Sequence, residues 1–254
     1  MSTIVVTGSA SGLGAAVRAR LEADGARVVG VDLQGQEIDA DLSTGAGRST
    51  AMNDVLDATG GSIDGLVVCA GLGPHVQPTS QLVAVNYFGA VEVLDGLRPA
   101  LAAGTRPAAV AISSNAIGLV PMHELRLLDL LVDGDEARAV EVAAELDGAT
   151  VYGLTKRALA TAVRRRASGW GKAGVRLNAV APGPVLTPLL QGSLDDPELG
   201  PLVDALPIPL DRRADPAEIA AVVAFLLGAD ASFVHGTVVF ADGGTDALVR
   251  PDHC

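Results

Sequence analysis

Cysteine, tyrosine and lysine are nearly absent from this 254-residue chain. Two cysteines, Cys69 and Cys254, exclude a disulfide framework. Cys69 sits in the apolar run GLVVCAG and is expected to pack as a small hydrophobe. The four histidines, His75, His123, His235 and His253, lack metal-ligand spacing, so no metal site is expected. Positive charge is also in deficit. With 30 acidic and 18 basic residues the net charge is −12, which argues against nucleic acid or an anionic membrane as partner. No apolar run approaches the ~20 residues of a membrane span. The opening MSTIVVTG already reads as a strand rather than a leader. A soluble protein of a reducing, cytoplasmic compartment is expected.

Against these absences stand 49% hydrophobic residues and 30 glycines, enough for a sizeable core with many tight turns. Short β-branched runs at 3–7, 27–32, 65–70, 108–113, 175–181 and 236–241 are apolar almost throughout, as parallel strands covered on both faces must be. Helical patterns lie between them at about 12–24, 46–59, 80–103, 151–171 and 215–228. The last opens with Asp215 as N-cap, Pro216 at the first position and Glu218 at the third. This alternation predicts an α/β fold, a single-domain (1–254) Rossmann-type doubly wound parallel sheet. Two segments depart from it. Residues 117–150 read as a helical insertion, two short helices parted near Asp133-Gly134. Residues 184–212 carry six prolines without a clear period and read as a long functional loop.

The first strand runs directly into VTGSASGLG, with Gly8, Gly12 and Gly14 opening a helix. Glycines there let backbone N–H groups approach a phosphate at a helix N-terminus, with Ser11 and Leu13 between them. The second strand ends at Asp32, whose carboxylate suits the adenine ribose hydroxyls and repels a 2′-phosphate. No Arg or Lys occupies 33–36, so NAD is favoured over NADP. Asp41 and Leu42 are placed at the adenine edge, and CAGLG brings Ala70 and Gly71 close. The chain has two tyrosines and two lysines, yet Tyr152 stands one helical turn before Lys156. Random placement yields such a pair in roughly 2% of sequences of this make-up. A free phenol, with a pKa near ~10, is a weak base at neutral pH, and a neighbouring ammonium favours its ionised form.

The glycine turn, Asn86 in AVNYFGA, Ser114 in AISSNAIG and the Tyr152/Lys156 pair fall in an order that resembles the short-chain dehydrogenase/reductase family along the whole chain. CAG matches its Asn-Ala-Gly element with Cys69 replacing Asn, APGPVLTP its Pro-Gly turn and DGG its C-terminal signature. The resemblance implies Tyr152 as general acid/base and Lys156 as its tuner and a grip on the nicotinamide ribose. It implies Ser114 as the group orienting the substrate oxygen, with Ser113 the alternative, and Asn86 as holder of a relay water. Pro182, Gly183, Val185 and Thr187 would line the nicotinamide, Thr187 touching its carboxamide.

More narrowly, CAGLGP, VNYFGA, WGKAGVRLNAVAPG and DGGTDALVRP are similar to the bacterial hydroxysteroid dehydrogenase/carbonyl reductase branch. That branch implies an apolar secondary alcohol or ketone as substrate, a 3-hydroxy/3-oxo steroid first. A terpenoid or aromatic alcohol is the nearest alternative, and a non-catalytic dinucleotide-binding regulator the alternative of another class. Ser114 and Tyr152 are 38 residues apart, wider than the family's usual spacing. The insert carries ELRLLDLLV, whose leucines must be buried nearby. If they cover the long helices through which relatives pair, one of two subunit contacts is lost and a homodimer is expected.

Overall fold

The computed structural model describes residues 1–120 and 125–252. Its strands are β1 (Thr3–Thr7), β2 (Arg27–Asp32), β3 (Ile38–Asp39), β4 (Gly65–Val68), β5 (Ala108–Ile112), β6 (Arg176–Pro182) and β7 (Val238–Ala241). They form one parallel sheet in the order β3-β2-β1-β4-β5-β6-β7. The central strands are apolar on both faces because each face has its own core. Val5, Val29, Leu66 and Ala109 point into one core, while Val6, Val28, Val67 and Val110, their chain neighbours, point into the other.

Helices α1 (Gly12–Ala23), α2 (Gly45–Thr59), α3 (Ser80–Val83) and α4 (Ala90–Ala102) precede the insertion. The insertion holds α5 (Leu125–Asp133) and α6 (Glu136–Ala143), and α7 (Gly148–Lys172) follows. Then come α8 (Pro188–Asp195), α9 (Leu199–Asp204), α10 (Pro216–Leu227) and α11 (Thr245–Val249). Buried residues of α1 and α10 fill one core, and those of α2, α4 and α7 the other. The chain reverses its winding between β1 and β4, which opens a crevice beyond the C-terminal ends of those strands.

The structure refines several expectations. The helix expected over 80–103 is interrupted by a π-helical segment, Ala84–Gly89, a wide turn of the kind found at functional sites. The 184–212 stretch is not a structureless loop. Thr187 caps α8 by accepting from Leu190 N, Pro188 takes the first helical position, and Asp196 accepts from the Glu198 and Leu199 N–H groups ahead of α9. Pro188, one of the six prolines that suggested a loop, here starts a helix. The two insertion helices are parted at Gly134 (φ +81°), but α7 begins at 148 rather than 151, because Asp147 caps it at Thr150 N. The insertion therefore ends at Asp147. Gly148 is needed there, since a Cβ would lie 1.9 Å from the Pro74 carbonyl oxygen. At α10 the capping box of Asp215 and Glu218 is present as expected.

Leu127 and Leu131 are buried, and α5 packs on α7. Trp170 and Phe88 are core residues. In the arginine triplet, Arg164 and Arg165 are exposed and Arg166 pairs with Asp95 of α4 at 2.7 Å. His123 and Cys254 lie outside the described residues. No described helix is long and apolar enough to cross a membrane.

Candidate active site

A cavity of about 800 Å³ opens at the crevice. Its walls include Gly8, Ser11, Gly12, Leu13, Asp32, Asp41, Leu42, Ala70, Gly71, Ser114, Tyr152, Lys156, Pro182, Gly183, Val185 and Thr187. Every site residue expected from the sequence is thus brought to one place except Asn86, which is wholly buried beneath it.

One half of the cavity is built for a dinucleotide. Gly8 (φ +70°) and Gly12 (φ +52°) take left-handed conformations that carry the chain from β1 into α1. A Cβ on Gly8 would stand 2.7 Å from the Ala70 backbone, so the turn and the end of β4 meet closely. The N-terminus of α1 has no side-chain cap, whereas α2, α6, α7, α8 and α10 all have one. Its free N–H groups face the cavity, the arrangement a pyrophosphate requires. Asp32 is held at the end of β2 by N–H groups of Ala10 (2.9 Å) and Leu33 (2.8 Å). Arg18, on α1, is engaged by Glu22, Gln36 and Glu37 instead of standing ready for a 2′-phosphate. The Arg18 guanidinium holds the Glu37 carboxyl down at about 2. These residues fit NAD.

The other half holds the groups expected from the sequence to transfer the proton. Tyr152 and Lys156 project from α7, with the Lys156 Nζ 5.9 Å from the Tyr152 ring centre. Lys156 donates to the Ile112 carbonyl at 2.9 Å, and Ser113 Oγ donates to the Lys156 carbonyl at 2.9 Å. Strand alternation sends Ser114 the other way, where its hydroxyl hydrogen-bonds Tyr152 and accepts from Ala116 N. Of the two serines, Ser114 therefore faces the phenol. A Cβ on Gly71 would lie 3.2 Å from Lys156 Nζ and 3.3 Å from Asn86 Oδ1, so these three residues share one spot. Asn86 occupies the π segment, and its side chain accepts from Leu72 N at 2.7 Å and donates to Leu72 O at 3.0 Å.

Burial governs the titrations. It pushes the Tyr152 phenol up from its ordinary value, opposed by the Ser114 hydrogen bond. Burial pushes Lys156 down to about 8. In the protein by itself desolvation is the largest influence on the phenol, whereas the expected favouring of its ionised form rested on Lys156 together with the cationic nicotinamide ring of bound NAD. Burial also drives the Cys69 thiol up to about 12, so it remains a neutral hydrophobe. In place of the family's Asn at that position, Thr7 Oγ1 accepts from both Cys69 N and Ala70 N. Thr187 has a capping role besides its place in the wall, and its Cβ would lie 3.5 Å from a Cβ on Gly12.

Sequence reasoning missed Thr7, Leu72, Thr150 and Ser193. Thr150 and Ser193 line the cavity, whereas Thr7 and Leu72 act through hydrogen bonds to distant segments that no local pattern reveals. The outer walls are largely apolar, formed by Leu72, Leu119, Val120, Leu189, Leu199 and Leu202 among others.

Residues 2–127 match the family model described as short chain dehydrogenase, and 138–246 match one described as Enoyl-(Acyl carrier protein) reductase. The chain is 49% identical, over 99% of both sequences, to a 3-alpha-hydroxysteroid dehydrogenase/carbonyl reductase of Comamonas testosteroni. It is 30% identical to a levodione reductase of Leifsonia aquatica, covering 96% of this chain and 94% of the other. Among solved structures, the 3-alpha-hydroxysteroid dehydrogenase of Pseudomonas sp. B-0831 complexed with NADH superposes with a TM-score of 0.98 at 47% identity, covering 100% of both chains.

Proposed function

The chain belongs to the short-chain dehydrogenase/reductase family and is an NAD-dependent oxidoreductase, and we propose that it interconverts the 3-hydroxy and 3-oxo forms of a steroid. The observation carrying this reading is the single cavity that joins an uncapped helix N-terminus and Asp32 to Tyr152, Lys156 and Ser114 under apolar walls. Bound NAD supplies hydride exchange with the substrate carbon. Ser114 orients the substrate oxygen by hydrogen bonding. Tyr152 exchanges the hydroxyl proton with it, as a general base in oxidation and a general acid in reduction. Lys156, held between Ile112 and the cavity, biases the phenol through its charge and binds the cofactor ribose. Asn86 braces Leu72 and Gly71 beside Lys156, where the proton leaves towards solvent.

The apolar walls favour an uncharged, rigid substrate over a carboxylate- or phosphate-bearing one. The test is a screen of steroid, terpenoid and aromatic secondary alcohols with NAD, following NADH absorbance. Turnover of a terpenoid panel with none on 3-hydroxysteroids would overturn the steroid assignment, and no turnover anywhere would favour a binding regulator.

Cofactor choice rests on Asp32. Asp32→Ala should weaken NAD by about 1–3 kcal/mol, the scale of hydrogen bonds to a charged group. It should also narrow the preference over NADP. Equal use of NADP by the wild-type enzyme would refute this role.

Assembly follows from the insertion. Burial of Leu127 and Leu131 between α5 and α7 occupies a helix face through which relatives pair. Exposed apolar side chains remain on α10 and just beyond it, with Phe225 49% exposed and Phe233 fully so. A homodimer of about 51 kDa, twice the 25.6 kDa chain, is expected from light scattering coupled to size exclusion. A stable four-subunit species would mean that the α5 surface still allows the second contact.

A further inference from the structure

Arg48, on α2, is 1% exposed and among the largest fully buried side chains. Burying a guanidinium is costly unless its donors are met. Here Nε donates to the Leu42 carbonyl at 2.9 Å, and Nη2 reaches the carbonyls of Ser43 and Ala84, each at 3.3 Å. Nη1 donates to Glu92 of α4 at 2.8 Å. The one two-pronged partner comes from the insertion: Glu136, first residue of α6, accepts from Nη2 at 2.6 Å and from Nη1 at 2.8 Å. The Phe88 ring lies 5.9 Å from the guanidinium.

These partners are not scattered. Leu42 and Ser43 form the cavity wall beside Asp32 and Asp41, and Ala84 opens the π segment that carries Asn86. The insertion thus reaches the cofactor half of the cavity through a single buried side chain. We propose that Glu136 is a positioning residue for the adenosine end of NAD, acting through Arg48 on the Leu42–Ser43 wall. This rests on the cofactor-site reading above.

The physical reason is the fork. A carboxylate bound through both oxygens fixes the plane of the guanidinium as well as its position. With Glu136 gone, the remaining charged partner is Glu92, bound through one oxygen, which lets the plane turn towards α4. The bonds to Leu42 and Ser43 lengthen in consequence, and the wall that receives the adenosine loses its register. The insertion then does more than cover α7. It ties the cofactor pocket to the segment that widens the Ser114–Tyr152 spacing beyond the family's usual one.

The test separates adenosine binding from general stability. Glu136→Ala, Glu136→Gln and Glu136→Asp are compared with wild type by calorimetric titration with adenosine monophosphate, with NADH and with nicotinamide mononucleotide. Glu136→Ala should weaken adenosine monophosphate and NADH roughly 3- to 20-fold, the range for residues coupled to a site through a network. Nicotinamide mononucleotide should be unaffected, and Glu136→Asp should recover part of the loss. Glu136→Gln, which keeps the shape of the side chain, tests the same point should the alanine variant fold poorly. A lower melting temperature with wild-type affinity for adenosine monophosphate would overturn the proposal and leave Glu136 a brace for the insertion. Asp32→Ala serves as the control. If it loses affinity for adenosine monophosphate and the Glu136 variants do not, only this inference fails. If neither variant responds, the cofactor-site reading fails with it.

Discussion

Replacing Tyr152 by phenylalanine should lower turnover by at least ~100-fold, the effect of removing a general acid/base, while NADH affinity stays near wild type. The substitution deletes one oxygen. That oxygen faces Ser114 and does not hold Lys156, whose ammonium is fixed by the Ile112 carbonyl. The cofactor half of the cavity should therefore survive intact. Because burial raises the phenol above its ordinary value, the wild-type rate of alcohol oxidation should climb towards alkaline pH as the base form accumulates. The reduction rate, which needs the acid form, should not. Steady-state rates across pH, paired with NADH fluorescence titration, check both points. A phenylalanine variant retaining more than about a tenth of the activity would remove Tyr152 from the proton step.

Lys156→Met should abolish most turnover and also weaken NAD, because in the role proposed for it the same ammonium biases the phenol and contacts the cofactor ribose. It should do something less obvious to stability. Burial lowers Lys156 to about 8 from the 10.5 of an unperturbed lysine. Between those values the unfolded chain binds the proton that the folded chain releases, so this group's contribution to stability rises with pH across the window. Below about pH 8 the full cost of the buried ammonium is present, about 3 kcal/mol for a shift of this size. Methionine removes that cost but leaves the Ile112 carbonyl without its donor, a loss of about 1–2 kcal/mol. At neutral pH the variant should be the more stable protein by about 1–2 kcal/mol, with the order reversing as the pH approaches 10.5 and only the lost hydrogen bond remains. Cys69 and Tyr152, both raised by burial, act in the opposite sense at alkaline pH, and Cys69, which Lys156 pulls down, does so more strongly in the variant. Urea melts of both proteins through this range are the measurement. A variant less stable at pH 7 would show that the site tolerates the ammonium at little cost.

Much of the site was legible in the sequence because its signals are local. Tyr152 and Lys156 are one helical turn apart, and any helix there aligns them. Gly8, Gly12 and Asp32 sit at strand ends, and parallel strands in a doubly wound sheet bring such ends to one crevice whatever the details of packing. The alternation of apolar strands and amphipathic helices determined the sheet, and the leucines of ELRLLDLLV required a buried contact, found between α5 and α7.

What only the tertiary structure decided are contacts between segments distant in the chain, and the desolvation they impose. No spacing rule links Arg48 to Glu136 across 88 residues, or Asn86 to the backbone of Leu72. The six prolines of 184–212 suggested a loop, but Thr187 and Pro188 start α8 and Asp196 turns the chain into α9. Sequence favoured Ser114 over Ser113 at the phenol, and the packing of α7 against β5 gives Ser113 to the Lys156 carbonyl and leaves Ser114 facing Tyr152. For both Tyr152 and Lys156 the largest influence on the pKa is how deeply they lie. A four-residue spacing determines that two groups can meet, whereas the protein packed around them decides how much charge they can carry.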